Sequence, residues 1–240
     1  MAPGSQIKVA TILFLAAAAA ACTGKPHSFE ERRREMVRTQ IEQRGIVDPA
    51  ILEAFRTVPR EDFVLPKFRE RALDDVEAPI GFGESLDRAY DNAIMVSALG
   101  LGPGSRVLEV GTGVGYLASV MSRIAKEGCT IDINPEIAAV AAGHFKTLGL
   151  SNVFLKVGDG YAGWPERAPF DAIVMATSPD RVPEPLVEQL SEGGRLVVPI
   201  GGSEKHQELI LFRKTDGKLV AQRRLAPAQF SPMKGKILEK

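Results

Sequence analysis

A chain of 240 residues, 45% hydrophobic and 25% charged, has the composition of one globular domain with a sizeable core. Thirty lysines and arginines balance thirty acidic residues, so the formal net charge is zero. Proteins that live by neutralising phosphates carry a basic surplus, which argues against nucleic acid as a partner.

The first element in the chain is unlike the rest. Lys8 precedes an apolar run of 13 residues, Val9 to Ala21, which closes on six alanines and then Cys22. Such a run is too short to span a bilayer, which takes about 20 residues. A basic residue, a short apolar stretch and small residues at its end predict a signal peptide over residues 1–22, and export with it. The alternative is an alanine-rich helix or a misassigned start, with a cytoplasmic product. Ala19-Ala20-Ala21-Cys22 resembles a bacterial lipobox, with alanine where that box usually has leucine. Lipid on Cys22 would anchor the protein to a membrane and leave Cys129 as the sole thiol, with no intramolecular disulfide. Cys129 falls in an apolar strand pattern and reads as a small core residue. Residues 23–34 read as a linker and the start of a helix, and 35–238 as a single domain.

Ser28-Phe29-Glu30-Glu31 is a capping box, predicting a helix to about Arg44 that stops at Gly45. Asp48-Pro49 opens a second helix that ends before Pro59. Asp74 to Tyr90 shows neither period and is punctuated by Pro79, Gly81 and Gly83, so a long functional loop is expected there. From Arg106 the pattern alternates. Strands are expected at Val107–Val110, Thr130–Ile133, Val153–Val157, Ala172–Met175 and Leu196–Ile200. Helices are expected at Tyr116–Lys126, Pro135–Leu148 and Glu184–Leu190. Short apolar strands separated by helices predict an α/β fold with a mostly parallel, doubly wound sheet. Glu208–Arg213 and Leu219–Leu225, around Thr215-Asp216-Gly217, predict a C-terminal antiparallel hairpin.

The chemistry concentrates at Val107–Tyr116 (VLEVGTGVGY), a strand running through a glycine turn into a helix. Open α/β sheets bind ligands at such strand ends. Gly111, Gly113 and Gly115 allow a sharp turn and, around Thr112, a close approach of backbone to ligand. Tyr116 stands where a dinucleotide fingerprint needs its last glycine, and no Gly-Lys-Ser/Thr follows for a P-loop. Glu109 would repel an anion and attract a cationic amino or sulfonium group. Asp132, 21 residues after Gly111, ends the next strand, where a carboxylate accepts from both hydroxyls of a ribose. Asp159, in Gly158-Asp159-Gly160, follows the third strand and is placed to meet an adenine amino group. Together these predict a nucleoside cofactor without a phosphate chain, S-adenosyl-L-methionine. His27, His144 and His206 have no metal-ligand spacing, and no metal is expected.

These motifs resemble the protein-L-isoaspartate O-methyltransferase family, over about residues 36–234. The resemblance rests on Met36–Gly45 (MVRTQIEQRG), Val58–Val64 (VPREDFV), Ala78–Gly81 (APIG), the Glu109–Tyr116 turn and Gly158–Gly160. It also rests on Gly163-Trp164-Pro165, Ala168–Asp171 (APFD), Gln189-Leu190 and Gly193–Leu196 (GGRL). It implies a Rossmann-like methyltransferase fold, S-adenosylmethionine as cofactor, and isoaspartyl carboxyls of damaged proteins or peptides as substrate. In the family the loop before the cofactor turn reads Gly-x-Thr-Ile-Ser-x-Pro, and its serine contacts the substrate. Here Gly83–Ala89 reads GESLDRA, placing Ser85 at the threonine and Asp87 at the serine. Ser85 and Asp87 are therefore the expected catalytic pair.

Asp87 is a serious departure. An ionised aspartate only accepts hydrogen bonds, whereas serine donates. Two carboxylates ~4 Å apart repel by about 4 kcal/mol at an effective dielectric of 20, unless Arg88 screens them. Two further readings follow: a methyltransferase in which Asp87 is the general base for a hydroxyl or amine acceptor, or a lipid-anchored binding module without catalysis.

Overall fold

Ser28 and Glu31 cap the first helix reciprocally: Glu31 N donates to Ser28 Oγ at 3.1 Å and Ser28 N to Glu31 Oε2 at 3.0 Å. The computed structural model describes residues 28–201 and 206–236. The predicted leader, Cys22 included, lies outside the described residues, as does the expected domain end at 238. From the cap, α1 (Phe29–Met36) continues through a π-helical turn (Val37–Ile41) and a 3-10 turn (Glu42–Arg44) to Gly45, at φ +96°. The expected helix is thus one path with a changed winding, along which Met36, Val37 and Ile41 are all buried. Asp48 caps α2 (Pro49–Thr57) through Ala50 N at 2.8 Å, and α2 buries Ile51, Leu52, Ala54 and Phe55.

The segment expected as a loop is built instead. β1 (Ala78–Gly81) and β2 (Glu84–Leu86) form a hairpin, with Ala78 facing Leu86 and Pro79 facing Ser85. Strands of four and three residues are too short to show a period, and Pro79 masks the first. α3 (Ala89–Leu99) follows at once and packs on the main sheet. It has no capping side chain and buries Ala89, Ala93, Met95, Val96, Ala98 and Leu99 around most of its circumference. An all-round apolar helix carries no amphipathic stripe to read.

The rest alternates as expected: β3 (Arg106–Val110), α4 (Tyr116–Met121), β4 (Glu127–Asp132), α5 (Pro135–Thr147), β5 (Val153–Val157), β6 (Phe170–Met175), α6 (Glu184–Gln189) and β7 (Leu190–Ile200). α4 ends five residues before the expected Lys126. Ser119 and Ser122 turn their hydroxyls back onto the carbonyls of Gly115 and Ser119, at 2.7 Å each. Asn152 Nδ2 then takes the carbonyls of Ser122 at 3.0 Å and Ala125 at 3.3 Å, so the chain leaves the helix with its acceptors satisfied. β8 (Gln207–Thr215) and β9 (Lys218–Ala228) close the sheet through a two-residue turn, Asp216 at φ 51° and Gly217 at φ 74°. Both positive angles match the hairpin turn that Asp-Gly favours.

The seven strands lie in the order β5-β4-β3-β6-β7-β8-β9, parallel up to β7 and antiparallel beyond it. The chain moves outward from β3 to β5, then jumps back to place β6 on the other side of β3. That reversal leaves a crevice beyond the C-terminal ends of β3 and β6, where a doubly wound sheet takes its ligand.

Candidate active site

A cavity occupies that crevice. Its walls include Glu109, Gly111, Thr112 and Gly113 from the β3–α4 turn, Asp132 from the end of β4, Gly160, and Ser85 and Asp87 from the end of the hairpin. Gly113 sits at φ +52°, and a Cβ there would find nothing nearer than Ile80 Cδ1 at 3.9 Å, so the turn presents bare backbone to the cavity. Gly115, at φ +88°, has another reason to be glycine: a Cβ would lie 2.6 Å from the Phe145 ring of α5. Asp132 ties the turn down, accepting from Gly113 N at 2.8 Å and from Asn134 N at 2.9 Å. Burial outweighs those two bonds and raises its pKa.

Glu109 is 1% exposed. Its Oε2 accepts from the Thr130 hydroxyl, which is 2.6 Å from the Thr112 hydroxyl, while its Oε1 has no hydrogen-bond partner. Burial pushes its pKa up to about 8, with Asp132 and Asp87 adding to the rise and Thr130 opposing it. A buried carboxyl with an unpartnered oxygen at a cavity wall is a place for a cationic or hydrogen-donating ligand group.

The other predicted residues are placed differently from one another. Ser85 is exposed on β2 at the rim. Asp159 turns away from the cavity, its Oδ1 accepting from Tyr161 N at 2.9 Å and its Oδ2 from Lys236 N at 2.7 Å. Gly160 beside it is what reaches the wall. Asp87 lines the cavity, and there the expectation of an ionised group changes. Burial, then Asp91 and Glu77, push its pKa up to about 8, with Arg60 opposing. That shift favours the neutral form of Asp87 near neutral pH and weakens the expected repulsion of a substrate carboxylate. Arg88 does not screen it: its guanidinium is bidentate to Asp91, at 2.8 and 3.0 Å.

Three features of the site escaped the sequence reading. Asn92, on α3, is 1% exposed with its Oδ1 unpartnered at the cavity wall. A lone asparagine in an apolar stretch was the available signal, hidden because the helix was not recognised. Arg60 is fully buried, donating to Ala72 O at 2.8 Å and Asp87 O at 2.6 Å and stacking 5.1 Å over Tyr116. The segment Ser231–Lys234 lies along the cavity, clasped to Glu84 by the Ser231 hydroxyl at 2.6 Å and Lys234 Nζ at 2.8 Å.

The bare turn at Gly113, the carboxylate ending β4 and the orphaned acceptor of Glu109 fit S-adenosylmethionine, a nucleoside carrying positive charge and no phosphate. Fold and site together define a Rossmann-like, S-adenosylmethionine-dependent methyltransferase. The profile of the protein-L-isoaspartate(D-aspartate) O-methyltransferase family matches residues 31–237, and the chain belongs to that family. Among curated relatives, protein-L-isoaspartate O-methyltransferase 1 of Rhodopseudomonas palustris (strain HaA2) is 43% identical over 208 residues, covering 87% of this chain and 85% of that protein. Protein-L-isoaspartate O-methyltransferase 2 of Anaeromyxobacter sp. (strain Fw109-5) is 43% identical over 233 residues, covering 94% and 96%. A solved protein-L-isoaspartate O-methyltransferase superposes with a TM-score of 0.76 at 31% identity, covering 87% of this chain and 67% of that one. The fold is shared with a putative family member from Plasmodium falciparum, solved with S-adenosyl-L-homocysteine, at a TM-score of 0.72 and 22% identity over 84% of this chain and 98% of that one.

Proposed function

We propose that this protein transfers a methyl group from S-adenosylmethionine to the free carboxyl of L-isoaspartyl residues in damaged proteins or peptides. The observation that carries the reading is one cavity joining the glycine turn and Asp132 to the Ser85–Asp87 edge, in a chain of this family. Bound there, the cofactor supplies a methyl group activated by a sulfonium sulfur. Asp132 would hold its ribose hydroxyls, the Gly111–Gly115 turn and Gly160 would line its path, and the unpartnered oxygen of Glu109 would be open to its donor or cationic groups. Ser85 and Asp87 receive the substrate. An isoaspartyl carboxyl has an ordinary pKa near ~4 and is already an anion at neutral pH, so the protein need not remove a proton from it. Its work is to strip water from the carboxylate and hold one oxygen in line with the methyl group.

Incubation with methyl-labelled cofactor and a pair of peptides, one isoaspartyl and one with ordinary aspartate, tests the reading. Base-labile methyl ester on the isoaspartyl peptide alone is expected. Label on neither peptide, with the cofactor bound, would reject it.

The leader supports a second proposal: the protein is exported and anchored by lipid on Cys22. Lys8, the apolar run Val9–Ala21 and the small residues before Cys22 are what argue for it.

A further inference from the structure

A carboxyl group at the acceptor end of a site that binds carboxylates needs a physical account. Asp87 lines the cavity beside Asn92 and Glu109. Its main chain is fixed, because Arg60 Nη2 donates to its carbonyl at 2.6 Å. Its side chain is a different matter. Of the two nearby guanidiniums, Arg88 is committed to Asp91, and Arg60 spends its Nε and Nη2 on two backbone carbonyls. Neither makes an ion pair with the Asp87 carboxyl among the described residues.

The surrounding elements add negative charge rather than remove it. Asp91 lies on α3 and Glu77 just before β1. The phenol facing Arg60 from α4, Tyr116, is pushed up to about 12 by burial and stays neutral. A carboxyl at a cavity wall that makes no ion pair among the described residues, with two other carboxylates acting on it and Arg60 opposing them, is shifted towards its protonated form. A protonated carboxyl has an O–H donor that an ionised one lacks.

Taking the isoaspartyl reading as given, we propose that Asp87 binds substrate as a neutral acid, its O–H donating to one carboxylate oxygen while the other oxygen takes the methyl group. It thereby supplies the donor that the family's serine hydroxyl supplies at this place. Asn92, with its Oδ1 buried and unpartnered at the same wall, adds a second uncharged polar group to the cavity lining. The proton stays where it is needed: the Asp87 pKa of about 8 stands some four units above the ~4 of the substrate carboxyl. In the transfer, a lone pair of the free substrate oxygen forms the new C–O bond. The C–S bond breaks with its electron pair left on sulfur, and no proton moves. Asp87 ends the turnover protonated, as it began.

The test uses the full protein, an isoaspartyl peptide, and Asp87→Ser and Asp87→Asn, which keep a donor that does not ionise in this range. Two quantities are followed from about pH 6 to about pH 10: kcat/KM for the peptide, and equilibrium affinity for the peptide with S-adenosylhomocysteine in place of the cofactor. The unmutated protein is expected to be flat at the acid end and to lose both about tenfold per pH unit above about 8. Both variants are expected to lack that alkaline limb. A wild-type affinity that is flat or rises through the same range overturns the proposal, and needs no variant to fold. Transfer to a hydroxyl or amine acceptor that rises with pH and vanishes in Asp87→Asn would make Asp87 a base and overturn it too. No methyl ester from the unmutated protein or from Asp87→Ser at any pH, with the cofactor bound, would overturn the isoaspartyl reading itself.

Discussion

Replacing Arg60 by methionine separates what this buried cation does for the fold from what it does for Asp87. The side chain is fully buried, and its two hydrogen bonds satisfy the carbonyls of Ala72 and Asp87. Methionine fills similar length and leaves both carbonyls unpaired, at about 1–3 kcal/mol each, or roughly 2–6 kcal/mol together. Against that, methionine carries no charge, and the desolvation of a buried guanidinium, several kcal/mol, is relieved. The net loss is therefore expected at the low end, about 2 kcal/mol, read as a lower urea midpoint at unchanged slope. The effect on Asp87 has the opposite character. Arg60 is the group that opposes the rise of its pKa, so without it the acid stays protonated to higher pH. The alkaline limb of kcat/KM should move upward, while kcat/KM at neutral pH falls because the Asp87 main chain is no longer held. Stability within about 0.5 kcal/mol of the parent, or a limb that stays put or moves down, would refute this account of Arg60.

The remaining predictions concern the cofactor cradle, the buried acids and the leader. Asp132→Ala and Gly113→Val should each weaken S-adenosylmethionine binding more than they lower stability, Asp132→Ala by about 1.5–3 kcal/mol; calorimetric affinities equal to the parent's would remove the cradle assignment. Glu109 and Asp87 both have folded pKa values of about 8, raised from 4.5 and 3.8. The unfolded chain therefore ionises first as pH rises, so their contribution is full below about pH 4, is lost on the way up, and levels off above about 8. Urea unfolding of the cofactor-free protein should show that decline, and Glu109→Gln should flatten it; a decline unchanged in that variant would mean Glu109 titrates normally. Full-length protein made in a bacterium should fractionate with membranes, and Cys22→Ala should release it or leave the precursor uncleaved, because stable anchoring takes several acyl chains. A soluble, uncleaved product of the unmutated gene would end the export proposal.

The parts of this molecule that could be read from sequence are those where one residue type has one physical use. The Ser28–Glu31 box, the Asp48 cap, the Asp216-Gly217 turn and the glycines at 111, 113 and 115 all stand where expected, because a cap needs an acceptor and a left-handed turn needs glycine. β3 and β6 were visible for a related reason: buried on both faces, they read as apolar runs. The secondary structure on the substrate side, around Ser85 and Asp87, was not visible. There the strands are three and four residues long, α3 is apolar nearly all round, and periodicity has nothing to work on.

The charge of Asp87 is hard to read from sequence for a different reason. Residue type supplies a reference pKa, but the charge a carboxyl carries in a fold depends on the chain segments that surround it. Those around Asp87 carry Glu77, Asp91 and Arg60, which are separated along the sequence and brought together only in the fold. The same letter thus reads as an obstacle in the sequence and as a donor in the cavity. Asp159 shows the converse. Its position after β5 suggested a ligand contact, and nothing local to it reveals that Lys236, 77 residues on, takes one of its oxygens. Motif spacing locates the cofactor turn because the turn is local. The acceptor side is assembled from distant segments, and its chemistry becomes readable only where they meet.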